Sequence, residues 1–474
     1  MKGSPRISFF GAAENVTGSR HLLEVAGRRL LIDCGLHQER QFKDRDFKRF
    51  PVEPSSIDAV ILTHAHLDHC GYLPKLVKDG FTGPVYCTEA SEEIARIVLR
   101  DSAYLQTEDA RYKRKRHKRA GRVSPHGYEP LYTMEDVERA MRQFQPVAWD
   151  EPVDLGNGVE ATFRTAGHIF GSAFVRVTYP HGEQGRGEGR RSVLFSGDVG
   201  RFDKPILKDP EVFAQADYVV IESTYGDRVH DDVDIPARLA EVVRDTVARG
   251  GNLLIPTFAI ERAQEVLYHL NDLILAKRIP PLLVFLDSPM AIRVSDVFTH
   301  HPERFDAEMR AHVQGGRSPF TMPQLTYTRT AEQSKGINQI RGSSIILAGS
   351  GMCTGGRIKH HLVQNLSRSE STLLFVGYQA TGTLGRQLRD GASEVRVLGQ
   401  TLPVRARVEN IGAFSAHADR DELSRWVGSL REAPRRVFVV HGEHDAAHGF
   451  RDHLAETKGW DVVVPQYRNS FVLD

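Results

Sequence analysis

Cysteine is scarce in this chain of 474 residues. The four present (Cys34, Cys70, Cys87 and Cys353) are too few for a disulfide framework, and a reducing cytoplasm is the default compartment. No run of about 18 apolar residues occurs, which excludes a membrane-spanning helix. The opening MKGSPRISFF lacks the long apolar core of a secretory signal peptide. An excess of either charge is also missing. The 62 Lys and Arg are balanced by 61 Asp and Glu, which on average argues against a nucleic-acid partner, because such domains are usually basic. What remains is an ordinary globular composition, with a length greater than one hydrophobic core supports, so at least two domains are expected.

From the N-terminus to about Tyr225, short apolar runs such as Leu30–Ile32, Ala59–Leu62, Val193–Phe195 and Tyr218–Ile221 read as buried strands. The helical stretches Ser91–Gln106 and Thr133–Gln143 interrupt them. His181–Arg191, rich in Gly and charge, reads as an exposed hairpin tip. From about 226 to 395 the texture changes to alternating strand and helix: Asn252–Ile255 then Ala259–Leu270, Pro281–Phe285 then Ala291–His300, Ser344–Ala348 then Arg357–Leu366. This pattern predicts an open, mainly parallel sheet. From about 396 to 474 short strands such as Val437–Val440 return.

The strongest chemical signal is Thr63-His64-Ala65-His66-Leu67-Asp68-His69, directly after the apolar run Ala59–Leu62. Three imidazoles and a carboxylate on one strand-end loop suit a borderline divalent ion such as Zn²⁺. One loop cannot aim enough donors, and three other runs share its grammar of buried strand followed by a donor. They end in Gly167-His168, in Ser196-Gly197-Asp198 and in His441-Gly442-Glu443. The count fits two ions better than one: His64, His66 and His168 for the first, Asp68, His69 and His441 for the second, with Asp198 bridging through its two oxygens. Two metals about 3.5–4 Å apart can share a nucleophile and clamp an in-line displacement at phosphorus. Asp33, after Leu30–Ile32, reads either as support for a ligating histidine or as a strand-terminating turn residue.

With these residues in place, the chain resembles the metallo-β-lactamase superfamily and, within it, the β-CASP nucleases, over essentially its whole length. Asp33, the HAHLDH block, His168 and Asp198 match the four superfamily motifs in order. Glu222 in IESTYG, His417 in FSAHAD and His441 in VHGE match the three further motifs of the β-CASP branch. The resemblance implies an α/β fold, a metallo-β-lactamase αββα sandwich with an inserted Rossmann-like β-CASP domain. The expected division is 1–225 and 396–474 for the sandwich and 226–395 for the insertion. Histidine at the position of His441 is the habit of the RNA-processing members, including the RNases J and the pre-mRNA 3′-end endonuclease subunit. The DNA-processing members generally carry valine there. Unlike the longer archaeal members, the chain reaches its first motif strand almost at once, so neither an N-terminal KH-type region nor a C-terminal partner domain is expected.

The implied activity is a zinc-dependent ribonuclease leaving 5′-phosphate and 3′-hydroxyl ends, with two Zn²⁺ per chain and Mn²⁺ as an alternative ion. Asp68, Glu222 and His417 form the expected catalytic set, His417 as the general acid and Glu222 as the group that orients it. A homodimer is an expectation from the family's habit. Ser350, Gly351, Met352, Gly355 and Gly356 lie in a turn that fits either a phosphate cradle or plain α/β packing, and Ser415 is a candidate phosphate contact by resemblance. The run Arg111–Arg122 carries eight Lys and Arg and no acid, and reads as a solvated helix face or a phosphate-tracking patch. The alternatives are a glyoxalase II-like thioester hydrolase, which motifs one to four alone would permit, and a DNA nuclease of the same family.

Overall fold

The structure is a computed structural model, which describes residues 4–39, 41–120, 127–181 and 189–474, without the side chains of 119 and 120. These residues form two compact units. The first comprises Met1–Phe202, Asp209–Val229 and His417–Asp474; the second comprises Asp203–Lys208 and His230–Ala416.

The first unit is built on two seven-stranded sheets. Their strands alternate with period two, as expected when one face of each packs on the other sheet. Leu23 and Val25 of His21–Val25, and Leu30 and Ile32 of Arg28–Ile32, enter a shared core with Val193 and Phe195, Tyr218 and Val220, and Phe438 and Val440. The alternate residues of the second sheet, including Val219, Ile221, Val437 and Val439, face a second core with Leu423 and Trp426 of the helix Arg420–Val427 and Phe450 and Leu454 of His444–Lys458. Leu22, Leu31 and Val60, on the outer face of the first sheet, are fully buried as well. Each sheet is therefore covered on both faces, which is the αββα layering the resemblance implies.

Strand direction then decides where the loops go. Arg28–Ile32 and Ala59–Ile61 run parallel, so residues 33 and 62 leave on one edge. Gly189–Phe195, Tyr218–Glu222 and Arg436–Val440 are parallel to one another. Glu160–Thr165 shares their direction, because it is antiparallel to Ala173–His181, which in turn is antiparallel to Gly189–Phe195. Asp33, His64, His168, Asp198, Glu222 and His441 all follow or close the C-terminal ends of these strands.

The second unit is a six-stranded sheet in the order Leu325–Tyr327, Leu283–Asp287, Ser344–Ala348, Leu253–Pro256, Thr372–Phe375 and Arg407–Asn410, with every pair parallel. Leu254, Leu373 and Phe375 pack on Ile358 and Leu362 of the helix Ile358–Asn365. The strand Arg407–Asn410 hydrogen-bonds to Thr372–Phe375, and Glu394–Val397 pairs with Gln400–Pro403 in a separate two-stranded sheet of the same unit, so the chain re-enters the first unit at His417 rather than near 396.

Two local features differ from the sequence reading. The helix expected over Ser91–Gln106 runs from Glu89 to Ala120, because the basic run contains no Gly or Pro before Gly121 and is rich in good helix formers. Of the expected hairpin tip, 182–188 lie outside the described residues, while His181 pairs with Gly189 at its base. Among the described residues, no helix is long and apolar enough to cross a membrane.

Candidate metal centre

Thr63 to His69 do not form a loop alone: His66 caps a short helix, Leu67–Cys70. This turn aims His64, His66 and Asp68/His69 to different sides. The chain packs so closely here that a Cβ at Gly35 would lie 1.5 Å from the Asp68 carbonyl oxygen, and one at Gly197 would lie 2.6 Å from Thr63 Oγ1. Gly197 also has φ +50°, so glycine leaves the room that brings Asp198 against the histidine block.

The donors converge in two groups. His64 Nε2 lies 3.1 Å from His66 Nδ1, His168 Nε2 lies 3.3 Å from His66 Nδ1, and both Nε2 atoms face Asp198 Oδ2 at 3.4 and 3.3 Å. His69 Nε2 and His441 Nε2 are 3.0 Å apart and face Asp198 Oδ1 at 3.2 and 3.6 Å, while Asp68 Oδ2 is 3.4 Å from His441 Nε2. In a tetrahedral site with bonds of about 2.0–2.1 Å, neighbouring donors are about 3.3–3.4 Å apart. The distances in the two groups, from 3.0 to 3.6 Å, bracket this spacing. Asp198 presents one oxygen to each, and among the described residues its buried Oδ1 has no hydrogen-bond partner. Nitrogen and carboxylate donors converging on an orphaned buried oxygen fit a pair of divalent ions of the zinc type.

Protonation agrees with geometry in the first group. Burial holds the His66 imidazole down at about 3 and His168 well below its usual value, so both are neutral and carry the lone pair a metal needs. In the second group burial also opposes charge, but Asp198 and Asp33 outweigh it at His69, and Asp198 and Asp68 at His441, so both rings are raised. This is the response of a pocket with surplus carboxylate and a need for positive charge.

Surrounding groups fix the rings. Asp33 Oδ2 accepts from His69 Nδ1 at 2.7 Å, and its Oδ1 accepts the Thr63 backbone N–H at 2.8 Å. These two contacts tie the His69 ring to the backbone at Thr63. His441 holds φ +50°, and its N–H donates to the Ala12 carbonyl at 2.8 Å. Beside the donors, His417 Nδ1 is 3.1 and 3.2 Å from the two oxygens of the fully buried Glu222. Glu222 Oε1 also accepts the Val199 N–H at 2.7 Å, and the Ala418 N–H donates to the Val199 carbonyl at 2.9 Å, so His417 and Glu222 are tied to one segment. Asp419, N-cap of the next helix in a capping box with Glu422, holds the chain as it leaves His417. Burial disfavours the charged form of His417, but Glu222, with Asp198 and Asp68, prevails and raises the ring to about 9.

The sequence reading missed several residues that shape this centre. Thr224 Oγ1 faces His441 Nδ1 at 3.2 Å, and Thr63 Oγ1 faces His64 Nδ1 at 3.1 Å. Both hydroxyls stand inside the quoted motifs, next to a donor, and that adjacency was the available signal. His21 is buried beside Ser19 Oγ, with its pKa pushed down by burial to about 3, and no motif marks it. Ser350, Gly351, Met352, Gly355, Gly356 and Ser415 belong to the second unit. There Gly355 N–H donates to Ser350 Oγ at 3.1 Å and Cys353 N–H to the Ser350 carbonyl at 3.0 Å, so the turn uses several of its own donors.

Comparison with known proteins gives the family. Residues 18–235 match the metallo-beta-lactamase superfamily, 263–388 the Beta-Casp domain, and 401–465 the Zn-dependent metallo-hydrolase RNA specificity domain. A ribonuclease of Thermus thermophilus is 42% identical over 98% of this chain and 98% of its own length. The transcription termination factor FttA of Methanocaldococcus jannaschii is 32% identical over 97% of this chain and 70% of its own. A solved structure of a protein of unknown function from Enterococcus faecalis superposes with a TM-score of 0.55 at 10% identity, covering 99% of this chain and 100% of that one, which bears on the fold alone. The chain belongs to the β-CASP family of the metallo-β-lactamase superfamily.

Proposed function

We propose that this chain is a zinc-dependent ribonuclease that hydrolyses phosphodiester bonds at a two-ion centre and leaves 5′-phosphate and 3′-hydroxyl ends. The observation that carries the reading is Asp198, one carboxylate whose two oxygens face two separate donor groups. His64, His66 and His168 would hold one ion, Asp68, His69 and His441 the other, and Asp198 both. Ions bound there would activate water and act as Lewis acids toward the phosphoryl oxygens.

The chain's own residues supply the rest. Glu222 engages His417 Nδ1, which turns the Nε2 side of the ring to the role of giving a proton to the departing O3′. With its pKa raised to about 9, His417 is protonated at neutral pH and ready to act as the acid. RNA as substrate is supported by the match of 401–465 to an RNA specificity domain, by the ribonuclease name of the Thermus relative and by histidine at 441. Ser350, Gly351, Met352, Gly355, Gly356 and Ser415 are proposed substrate contacts. The exposed Lys and Arg of Arg111–Lys118 are proposed to track phosphate beyond the cleavage point. The four cysteines are buried free thiols, which suits the cytoplasm as the working compartment.

The test is to incubate protein of known metal content with linear 5′-phosphate, linear 5′-hydroxyl and circular RNA of one sequence and to identify the ends. Products with 5′-phosphate and 3′-hydroxyl are expected, and cleavage of the circle establishes endonuclease action. Ends bearing 2′,3′-cyclic phosphate, or cleavage of DNA in preference to RNA, would overturn the reading.

A further inference from the structure

The helix His444–Lys458 begins three residues after His441, and it presents His444 and His448 one turn apart. Two histidines at i and i+4 on a helix face can chelate one ion, provided that a third donor meets them. Glu14 does so from a distant part of the chain. Its Oε1 lies 2.8 Å from His448 Nε2 and 3.8 Å from His444 Nε2, and the two imidazoles lie 4.3 Å apart between centroids. The potential donor atoms of all three lie within 4.8 Å of one another.

Two further observations distinguish this cluster from a chance ion pair. Asp445 Oδ1 is 3.0 Å from His444 Nδ1, so that nitrogen carries the proton and the Nε2 lone pair points toward Glu14. A carboxylate fixing the far nitrogen of a histidine is the usual support of a metal ligand. The loop that carries Glu14 is also braced. Glu14 has φ +56°, and the Val16 and Thr17 N–H groups both donate to Glu39 Oε1 at 3.1 Å. Glu14 is thus presented to the helix by a held backbone rather than by a free coil.

We infer that Glu14, His444 and His448 form a further site for a borderline divalent transition ion such as Zn²⁺, outside the centre around Asp198. Two histidines and one glutamate leave coordination positions open to solvent. An ion there would join the loop containing Ala12, whose carbonyl accepts the His441 N–H, to the helix that follows His441. The site would brace the backbone at His441 without touching the Asp198 centre.

The experiment counts metal. Chelator-stripped protein is dialysed against a fixed excess of Zn²⁺, and bound zinc is measured by mass spectrometry for wild type and for the His444→Ala/His448→Ala double variant. Wild type is expected to hold one more equivalent per chain than the double variant. Its melting temperature should also rise more on zinc addition than that of the variant. Glu14→Gln should bind the extra equivalent more weakly. Equal zinc content in wild type and double variant overturns the inference. The zinc that remains in the double variant reports separately on the Asp198 centre, so failure of one site is not mistaken for failure of the other.

Discussion

Asp198 and Asp287 are both fully or almost fully buried carboxylates at the C-terminal ends of core strands, each with histidine nearby, and they differ in what answers their charge. Asp287 in the second unit accepts from Thr328 Oγ1 at 2.5 Å, from Ser334 Oγ at 2.6 Å and from Arg357 Nη1 at 2.6 Å, and meets His361 Nε2 at 2.6 Å. Burial opposes its charge, yet these partners hold its carboxyl well below the usual range. Asp198 faces imidazole nitrogens, those of His64, His69, His168 and His441 at 3.2–3.6 Å and His417 Nδ1 at 3.9 Å, and among the described residues its Oδ1 has no hydrogen-bond partner. One network is closed by protein donors, while the other is spaced for an ion. A buried strand-end aspartate is thus a structural tie or a ligand according to whether hydrogens or lone pairs converge on it.

Removing each carboxylate should separate the two cases most sharply. Asp198→Ala is expected to lose bound metal and to reduce RNA cleavage to background while the fold persists. Asp287→Ala should retain metal content and lose about 3–5 kcal/mol of stability, because Arg357 and His361 are left facing an uncompensated cavity. Metal analysis and denaturant unfolding of both variants read the contrast. Equal loss of metal in the two would erase it.

A smaller effect is expected beside the centre. His417→Ala should slow cleavage by about 10²–10⁴-fold with metal content unchanged. His441→Ala should instead weaken one metal site. Because Glu222 raises the His417 pKa, wild-type kcat/KM should fall only as pH rises through about 9. Glu222→Gln should move that alkaline limb to lower pH. An unmoved limb would remove His417 from the role of acid.

The second unit offers a comparison of stability with pH. Glu265 is buried with Lys204 Nζ at 3.0 Å and Arg262 as partners, and although burial opposes its charge these cations lower its pKa from 4.5 to about 2. A depressed carboxyl contributes stability above its unfolded pKa and loses it as pH falls through the folded value. The stability difference between wild type and Glu265→Gln should therefore be constant above about pH 4.5 and shrink toward pH 2. A difference that stays constant over that interval would show that the ion pairs contribute nothing.

The smallest effect concerns the basic helix. Changing Lys113, Lys115, Arg116 and Lys118 to Gln should weaken RNA binding and flatten its dependence on log salt by up to about 3, at about 0.7 per lost phosphate contact. An unchanged slope would make the run a solvated helix end.

The order of legibility follows chain distance. Thr63 to His69 could be read directly, because alternation of donor and spacer after a buried strand is a local pattern. The two sheets were visible in outline as apolar runs, and the parallel sheet of the second unit as alternating strand and helix. The boundary near 396 differed because the strand Arg407–Asn410 looks the same in sequence whichever sheet it joins, and its hydrogen bonds to Thr372–Phe375 decide. The length of the helix Glu89–Ala120 was underestimated for another reason. Its second half has no apolar periodicity, so only helix propensity and the absence of breakers mark it.

By itself the sequence determined the chemical inventory of this protein: which strands end in donors, the family to which the motifs point, and the concentration of positive charge in one run. Tertiary structure alone decided which donors share an ion-sized space. His69 meets His441 from 372 positions away, and His417 meets Glu222 across 195. The same packing set protonation, neutral where burial acts on His66 and His168 and raised where carboxylates surround His417. The physical reason is that donor type is a property of one residue, whereas donor spacing and local field are properties of groups brought together from distant strands.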